Sequence, residues 1–128
     1  MIILVTGSRQ KLTPRQRLQV EVHLFLAGLD KAEGGRHILV EGAATGVDSY
    51  AHDLAKRLGW GTRRFPADWT TFGKKAGPIR NQQMLDKMKE EGTPVELVLA
   101  FPAATSKGTW DMVERAVANR VPVRVYPI

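Results

Sequence analysis

The sequence predicts a single Rossmann-like α/β domain over residues 1–128, with a parallel sheet of about five strands and helices on both faces. Three observations carry this. Short apolar runs alternate with helical patterns in βαβαβαβαβ order, the signature of a parallel sheet. The first run, Ile2-Ile3-Leu4-Val5, is unbroken, as in a strand buried on both faces. A chain of 128 residues that is 43% hydrophobic can build one sizeable core and leaves little room for a second.

The elements follow in order. The first strand ends at Thr6-Gly7. Thr13-Pro14 reads as an N-cap with proline at the first helical position. Leu18, Val22, Phe25, Leu26 and Leu29 then recur at helical spacing and predict the core face of helix one. Gly34-Gly35 breaks the pattern. A short strand covers Ile38 to Val40. Thr45 is placed to cap a second helix whose apolar positions are Val47, Tyr50, Ala51, Leu54, Ala55 and Leu58, ended by Gly59. Thr62 to Phe65 reads as a third strand.

A polar loop is expected from Pro66 to Gly77, then a helix after Pro78 carrying Met84, Leu85 and Met88, closed by Gly92-Thr93-Pro94. Leu97 to Phe101 is the strongest strand after the first. Gly108-Thr109 opens a last helix whose core face is read as Trp110, Val113, Ala116 and Val117, and Val121 to Val125 closes the sheet.

Composition narrows the function classes. The chain has no cysteine, which excludes disulfides and thiolate metal sites. His23, His37 and His52 are dispersed, so no metal site is expected. No apolar run approaches the roughly 20 residues of a membrane span, and no signal-peptide pattern is present. A cytosolic, soluble protein without a membrane partner is the expectation. The net charge of +6 invites anions. The basic residues are spread along the chain, without the stripe of a dedicated nucleic-acid binder.

In a parallel sheet every strand's C-terminal end lies on one edge, and open α/β sheets bind ligands there. The unusual residues of this chain follow strand ends. Gly7-Ser8-Arg9 follows the first strand, Glu41 to Asp48 the second, Pro66-Ala67-Asp68-Trp69 the third, and Pro102 to Thr109 the fourth. Gly42 and Gly46 permit tight turns and close ligand approach, and the following helix offers free amides and a favourable dipole to an anion. An unliganded glycine turn explains the same pair. A valine at Gly46 is therefore expected to weaken binding more than stability.

Ser106-Lys107-Gly108-Thr109 repeats this chemistry, with Thr109 serving as a helix cap, a ligand group, or both. It is not a P-loop, because the order is Lys-Gly-Thr and no glycine stands five residues before. Asp48 either closes a capping box with Thr45 or meets a ribose hydroxyl or a water. Arg9 and Arg80 are candidate bidentate phosphate clamps. Arg80 is the sharper of the two, with its substitution expected to cost affinity and leave stability intact. Trp69 and Phe72 can stack on a base, anchor the loop or meet a partner. No nucleophile elbow or paired-carboxylate motif is present.

Taken in order, Thr6-Gly7-Ser8-Arg9, Glu41-Gly42-Ala43-Ala44-Thr45-Gly46-Val47-Asp48, Pro66-Ala67-Asp68-Trp69, Ala76-Gly77-Pro78-Ile79-Arg80-Asn81 and Phe101-Pro102 with Gly108-Thr109 resemble the YspA-like branch of the SLOG superfamily, named for its Smf/DprA and LOG members. The resemblance spans nearly the whole chain. It implies a Rossmann-like domain for a nucleotide or nucleotide-derived ligand. Gly7, Ser8 and Arg9 would form the first binding turn, and Gly42, Gly46 and Asp48 the second. Arg80 and Asn81 would close the pocket, and Gly108 with Thr109 would hold phosphate. It also implies a homodimer, for which Trp60 offers an apolar contact without an evident core role.

Phosphoribohydrolase relatives resemble a Gly-Gly-x-Gly-Thr-x-x-Glu pattern. Here Ala104-Thr105 stands for the glycine pair and the glutamate position falls on Met112, beside Asp111. Neighbouring helical residues diverge by about 100°, so Asp111 need not face the same ligand. The leading reading is a protein that senses or processes a phosphate-bearing, nucleotide-like ligand, with no other cofactor. The alternatives are a nucleoside-monophosphate N-glycosidase, with Asp48 or Asp111 as catalytic carboxylate, and a single-stranded DNA binder.

Overall fold

The computed structural model describes residues 1–29 and 36–128. The expected break at Gly34-Gly35 lies outside the described residues. The elements are β1 (Ile2–Gly7), α1 (Pro14–Leu29), β2 (Ile38–Glu41), α2 (Val47–Arg57), β3 (Gly61–Arg64), α3 (Trp69–Phe72), a 3-10 turn (Gly73–Lys75), α4 (Ala76–Glu90), β4 (Leu97–Phe101), α5 (Lys107–Ala118) and β5 (Val123–Val125).

All five strands pair in parallel, in the order β3-β2-β1-β4-β5. Alternation along β1 assigns the two layers. Ile3 and Val5 point to a core shared with Val20 and Leu24 of α1 and Ala51 and Leu54 of α2. Ile2 and Leu4 point to the opposite core, shared with Met84 and Met88 of α4 and Met112 of α5. The predicted class is therefore the observed one. The chain runs outward from β1 to β3, then returns to β4 on the other side of β1. The switch point of the sheet thus lies between β1 and β4, where the Ser8 amide donates to Phe101 O at 3.0 Å. No helix of the described residues is long and apolar enough to cross a membrane.

Two helices turn a different face inward from the one their sequences predict. In α1 the buried residues are Val20, Leu24 and Ala27, whereas Leu18, Val22, Phe25, Leu26 and Leu29 are exposed. This helix carries two apolar stripes, and the narrower one, with the smaller Val20 and Ala27, fits against the sheet. In α5 the buried residues are Thr109, Met112 and Ala116, while Trp110 and Val117 are exposed and Val113 is half-buried. A shift of one residue, about 100°, separates the two readings.

The stretch expected as loop contains α3 and the 3-10 turn, and α4 starts at Ala76 rather than after Pro78. The Asp68 carboxylate caps α3 by accepting from the Thr71 amide at 3.1 Å. Trp60 has a core role after all. It is half-buried, packs against the α1–α2 core and lies 4.8 Å from the His37 ring.

The inward face of α5 is checked by a pair of truncations. Met112→Ala should lose about 2–5 kcal/mol of stability in a denaturant melt. Val117→Ala, on the exposed face, should stay within about 0.5 kcal/mol of the parent. Equal losses would contradict the packing described here.

Candidate functional site

The turn after β2 is built from carboxylates. Glu41, fully buried, accepts the Ala43 amide on Oε2 at 2.6 Å. Its Oε1 accepts Arg64 Nε at 2.5 Å and lies 3.4 Å from His52 Nδ1. Asp48 reaches back to the same turn, its Oδ2 accepting the Gly42 and Ala44 amides at 3.1 and 3.3 Å. Between them Ala43 is held at φ 59°, a left-handed conformation that costs a non-glycine residue about 1–2 kcal/mol.

The helix cap differs from the expected one. Gly46 occupies the N-cap without a side-chain hydrogen bond, and the Thr45 hydroxyl donates to Arg9 O at 2.7 Å, so there is no capping box with Asp48. The amides of this turn are consumed by the protein's own acceptors. Val47 N, too, donates to Ser8 O at 3.0 Å. The loop leading into α2 therefore spends four of its amides, those of Gly42, Ala43, Ala44 and Val47, on the protein itself.

Both glycines of this turn serve the fold. A Cβ on Gly46, at φ 77°, would sit 2.6 Å from Gln10 O and nearer still to Ser8 O. A Cβ on Gly42 would lie 2.5 Å from the Arg80 guanidinium, and one on Gly7 2.7 Å from Val47. What meets these positions is protein, so the expected order of effects for Gly46→Val is reversed, with stability lost first.

The open space lies beside them, at the switch point. A cleft of about 640 Å³ is lined from the turn after β1, the start of α4 and the start of α5. Arg9, Lys74 and Lys107 bring three cations to its wall. The Arg9 guanidinium sits 5.4 Å from the Trp69 ring centroid, in cation–π range. Trp69 is 49% exposed and also lines the cleft. The amides of Gly108 and Thr109, in the first turn of α5, have no acceptor among the described residues. Gly108 leaves open space beside Arg9. Free amides at the start of a 12-residue helix attract anions, and the start of α5 opens on this cleft.

The floor of the cleft is a polar chain. Arg80 is buried, at 7% exposure, and donates from one terminal nitrogen to Gly42 O and Phe65 O and from Nε to Asn81 Oδ1 at 3.1 Å. Burial lowers the Arg80 guanidinium from its ordinary value, opposed by the Asp48 carboxylate. Much of its donor capacity serves the fold, so its loss is expected to cost stability first, unlike that of a free phosphate clamp. Asn81 Nδ2 donates to Gly108 O at 3.2 Å and to Asp111 Oδ2 at 2.9 Å, and Arg115 Nε donates to the same oxygen at 2.8 Å. Partial burial pushes the Asp111 carboxyl up, but these two hydrogen bonds outweigh it and hold it below the usual range.

Asp111 lines the cleft while Met112 is fully buried in the core. The carboxylate displaced by one position thus does reach the site. Asp48 supplies a second carboxyl. Burial, then the neighbouring Glu41, raises it to about 7, and its Oδ1 has no hydrogen-bond partner among the described residues.

Of the residues singled out in the sequence, Gly7, Ser8, Arg9, Asp48, Trp69, Arg80, Asn81, Gly108, Thr109 and Asp111 meet around this cleft, whereas Gly42 and Gly46 stand behind its wall. Gly77 and Lys107, from the segments quoted above, join them, and so does Lys74, which the sequence reading left in the polar loop. The Lys74-Lys75 pair and the Lys107-Gly108 step are visible as basic residues near strand and helix ends, but only the tertiary arrangement gives them a common target.

No family model matches the chain. The chain is similar to the Gene 61 protein of Mycobacterium phage D29, with 32% identity over 133 residues that cover 94% of this chain and 92% of that protein. Its fold is similar to that in the X-ray structure of DNA processing protein A (DprA) from Streptococcus pneumoniae, with a TM-score of 0.68 and 20% identity. That match covers 96% of this chain and 49% of the other, so this chain spans about half of that protein's length.

Two measurements check the site. Gly46→Val should lose on the order of 3 kcal/mol or fail to fold, because it combines a positive-φ clash with contact to backbone; a parent-like melt would contradict this. For Asp48, the folded state holds a proton that the unfolded chain releases between its ordinary value of 3.8 and about 7. The Asp48 contribution to stability is therefore complete below that window and is lost as pH rises through it. Relative to Asp48→Asn, the parent should weaken steadily across the window and run parallel above it in urea melts at stepped pH.

Proposed function

The chain belongs to the family of the Gene 61 protein of Mycobacterium phage D29, and from that premise we propose that its cleft binds a phosphate-bearing, nucleotide-like ligand. The observation that carries the reading is the convergence of Arg9, Lys74, Lys107 and the free amides of α5 on one cleft that also holds Trp69 and two carboxyls. Cations and a helix N-terminus suit a phosphate. The Asp48 and Asp111 carboxyls suit sugar hydroxyls or a water, and an exposed indole suits a base. The order of motifs along the chain supports a place in the YspA-like branch of the SLOG superfamily. We extend to the protein a cytosolic location and a site without metal or further cofactor.

A second reading has its own support. The fold neighbour is named a DNA processing protein. A basic rim beside the exposed Trp69 is also the equipment of a single-strand binder. In this reading the cleft takes one nucleotide of a strand. A third possibility, N-glycosidase chemistry, draws on Asp48, a carboxyl raised towards neutrality and placed in a cleft, as a proton donor to a leaving base.

The test is calorimetric titration with a nucleoside monophosphate and with a short single-stranded oligonucleotide, together with an assay for released base. Arg9→Ala should bind the favoured ligand roughly 10-fold or more weakly, from lost charge-assisted hydrogen bonds, with an unchanged thermal midpoint. Arg80→Ala should instead lower the midpoint by leaving the Gly42 and Phe65 carbonyls without their buried donor. An affinity for oligonucleotide that falls steeply with salt selects the strand reading. If neither ligand binds, or if Arg9→Ala binds like the parent, the proposal is wrong.

A further inference from the structure

The guanidinium of Arg9 is held in the cleft without being neutralised. The Arg9 carbonyl is fixed by the Thr45 hydroxyl, but the guanidinium makes no ion pair or hydrogen bond among the described residues. Its partner is the Trp69 ring, 5.4 Å away. A Cβ on Gly77 would lie 3.6 Å from Trp69 Cη2 and 3.9 Å from Arg9 Nη2, and one on Gly108 would lie 4.0 Å from the same Nη2. The guanidinium thus reaches from the indole to the first turn of α5, where the Gly108 and Thr109 amides are free.

A cation facing a helix N-terminus is repelled by the helix dipole. In water such a side chain would swing outward. The negative face of an indole attracts it and offsets that repulsion. A carboxylate would hold the arginine too, but it would cancel the charge and occupy the donors. Arg80 shows the spent condition, with its nitrogens donating to Gly42 O, Phe65 O and Asn81 Oδ1. Nor is Trp69 needed by the core. It is 49% exposed, and neither α3 nor the 3-10 turn after it buries a residue. The Asp68 cap fixes the start of α3 and with it the position of Trp69.

We infer that Trp69 is a positioning residue, whose indole holds the Arg9 guanidinium, charged and with its donors free, where a ligand phosphate meets the start of α5. This role rests on the reading that the cleft takes a phosphate. It narrows the part played by Trp69, which then acts on the ligand through Arg9 rather than by stacking on a base. An arginine already in place also loses less side-chain freedom when the phosphate arrives.

Two probes separate positioning from stacking: ribose 5-phosphate, which has no base, and a nucleoside monophosphate. In calorimetric titrations Trp69→Leu, apolar but without a ring face, should bind both about 3-fold or more weakly than the parent, the scale of a lost cation–π contact. Trp69→Phe should recover most of that loss for both probes. In an Arg9→Ala background Trp69→Leu should change neither affinity, because no guanidinium remains to be held. All variants should melt close to the parent. Parent-like binding of ribose 5-phosphate by Trp69→Leu overturns the inference, and a loss confined to the nucleoside monophosphate assigns the indole to the base. An undiminished effect of Trp69→Leu in the Arg9→Ala background overturns it as well. So does a parent that binds the nucleoside monophosphate but not ribose 5-phosphate, with the nucleotide reading left standing. A parent that binds neither probe removes the phosphate reading and the role of Trp69 together.

Discussion

The arrangement of the cleft depends on one close approach of two backbones. The turn after β1 lies against the turn after β2, and it can do so only because residue 46 has no side chain. Three groups record the contact: the Val47 amide on Ser8 O, the Thr45 hydroxyl on Arg9 O, and the space beside Gln10 O that a Cβ would fill. The Arg9 backbone is thereby anchored while its guanidinium reaches over Trp69. A glycine that looks like part of a ligand loop is thus a spacer between two loops, and its effect on any ligand passes through Arg9.

A second device joins the far wall. Arg80 ties the start of α4 to the carbonyls of Gly42 and Phe65, and Asn81 carries the connection to Gly108 and Asp111. The segments after β2, β3 and β4 are therefore linked through two adjacent residues of one helix. Glycine at position 42 leaves room for the buried Arg80 guanidinium, which a Cβ there would displace. Buried charge of this sort is retained where geometry is at stake, and here the geometry is that of the cleft.

Much of this was legible in the sequence. Strand order in the chain, the Leu97 to Phe101 strand and the meeting of Gly7-Ser8-Arg9 with Gly108-Thr109 follow from periodicity and from the common edge of a parallel sheet. Two kinds of information were not legible. Where a helix carries two apolar stripes, as α1 does, periodicity cannot say which one the sheet selects, and in α5 a tryptophan drew the reading one residue away from Met112. The structural share of Gly42, Gly46 and Arg80 was hidden for a related reason. A glycine or an arginine near a strand end signals close packing or a buried charge, but not whether the neighbour is a ligand or the protein itself. The Asp68 cap on α3 was a local signal and could have been read.

The half-used carboxyl of Asp48 gives the cleft a proton ledger. Its Oδ2 is committed to two amides and its Oδ1 to nothing among the described residues, with a pKa raised to about 7. Any guest that donates a hydrogen bond to Oδ1 favours the ionised form and expels the proton on arrival. By linkage, the grip on such a guest tightens as the solution becomes more alkaline through neutrality, and the heat of association varies with the buffer that takes up the proton. A guest that instead brings negative charge close to Asp48 favours the protonated form and draws a proton in. The direction of proton flow therefore reports which end of the guest lies deepest.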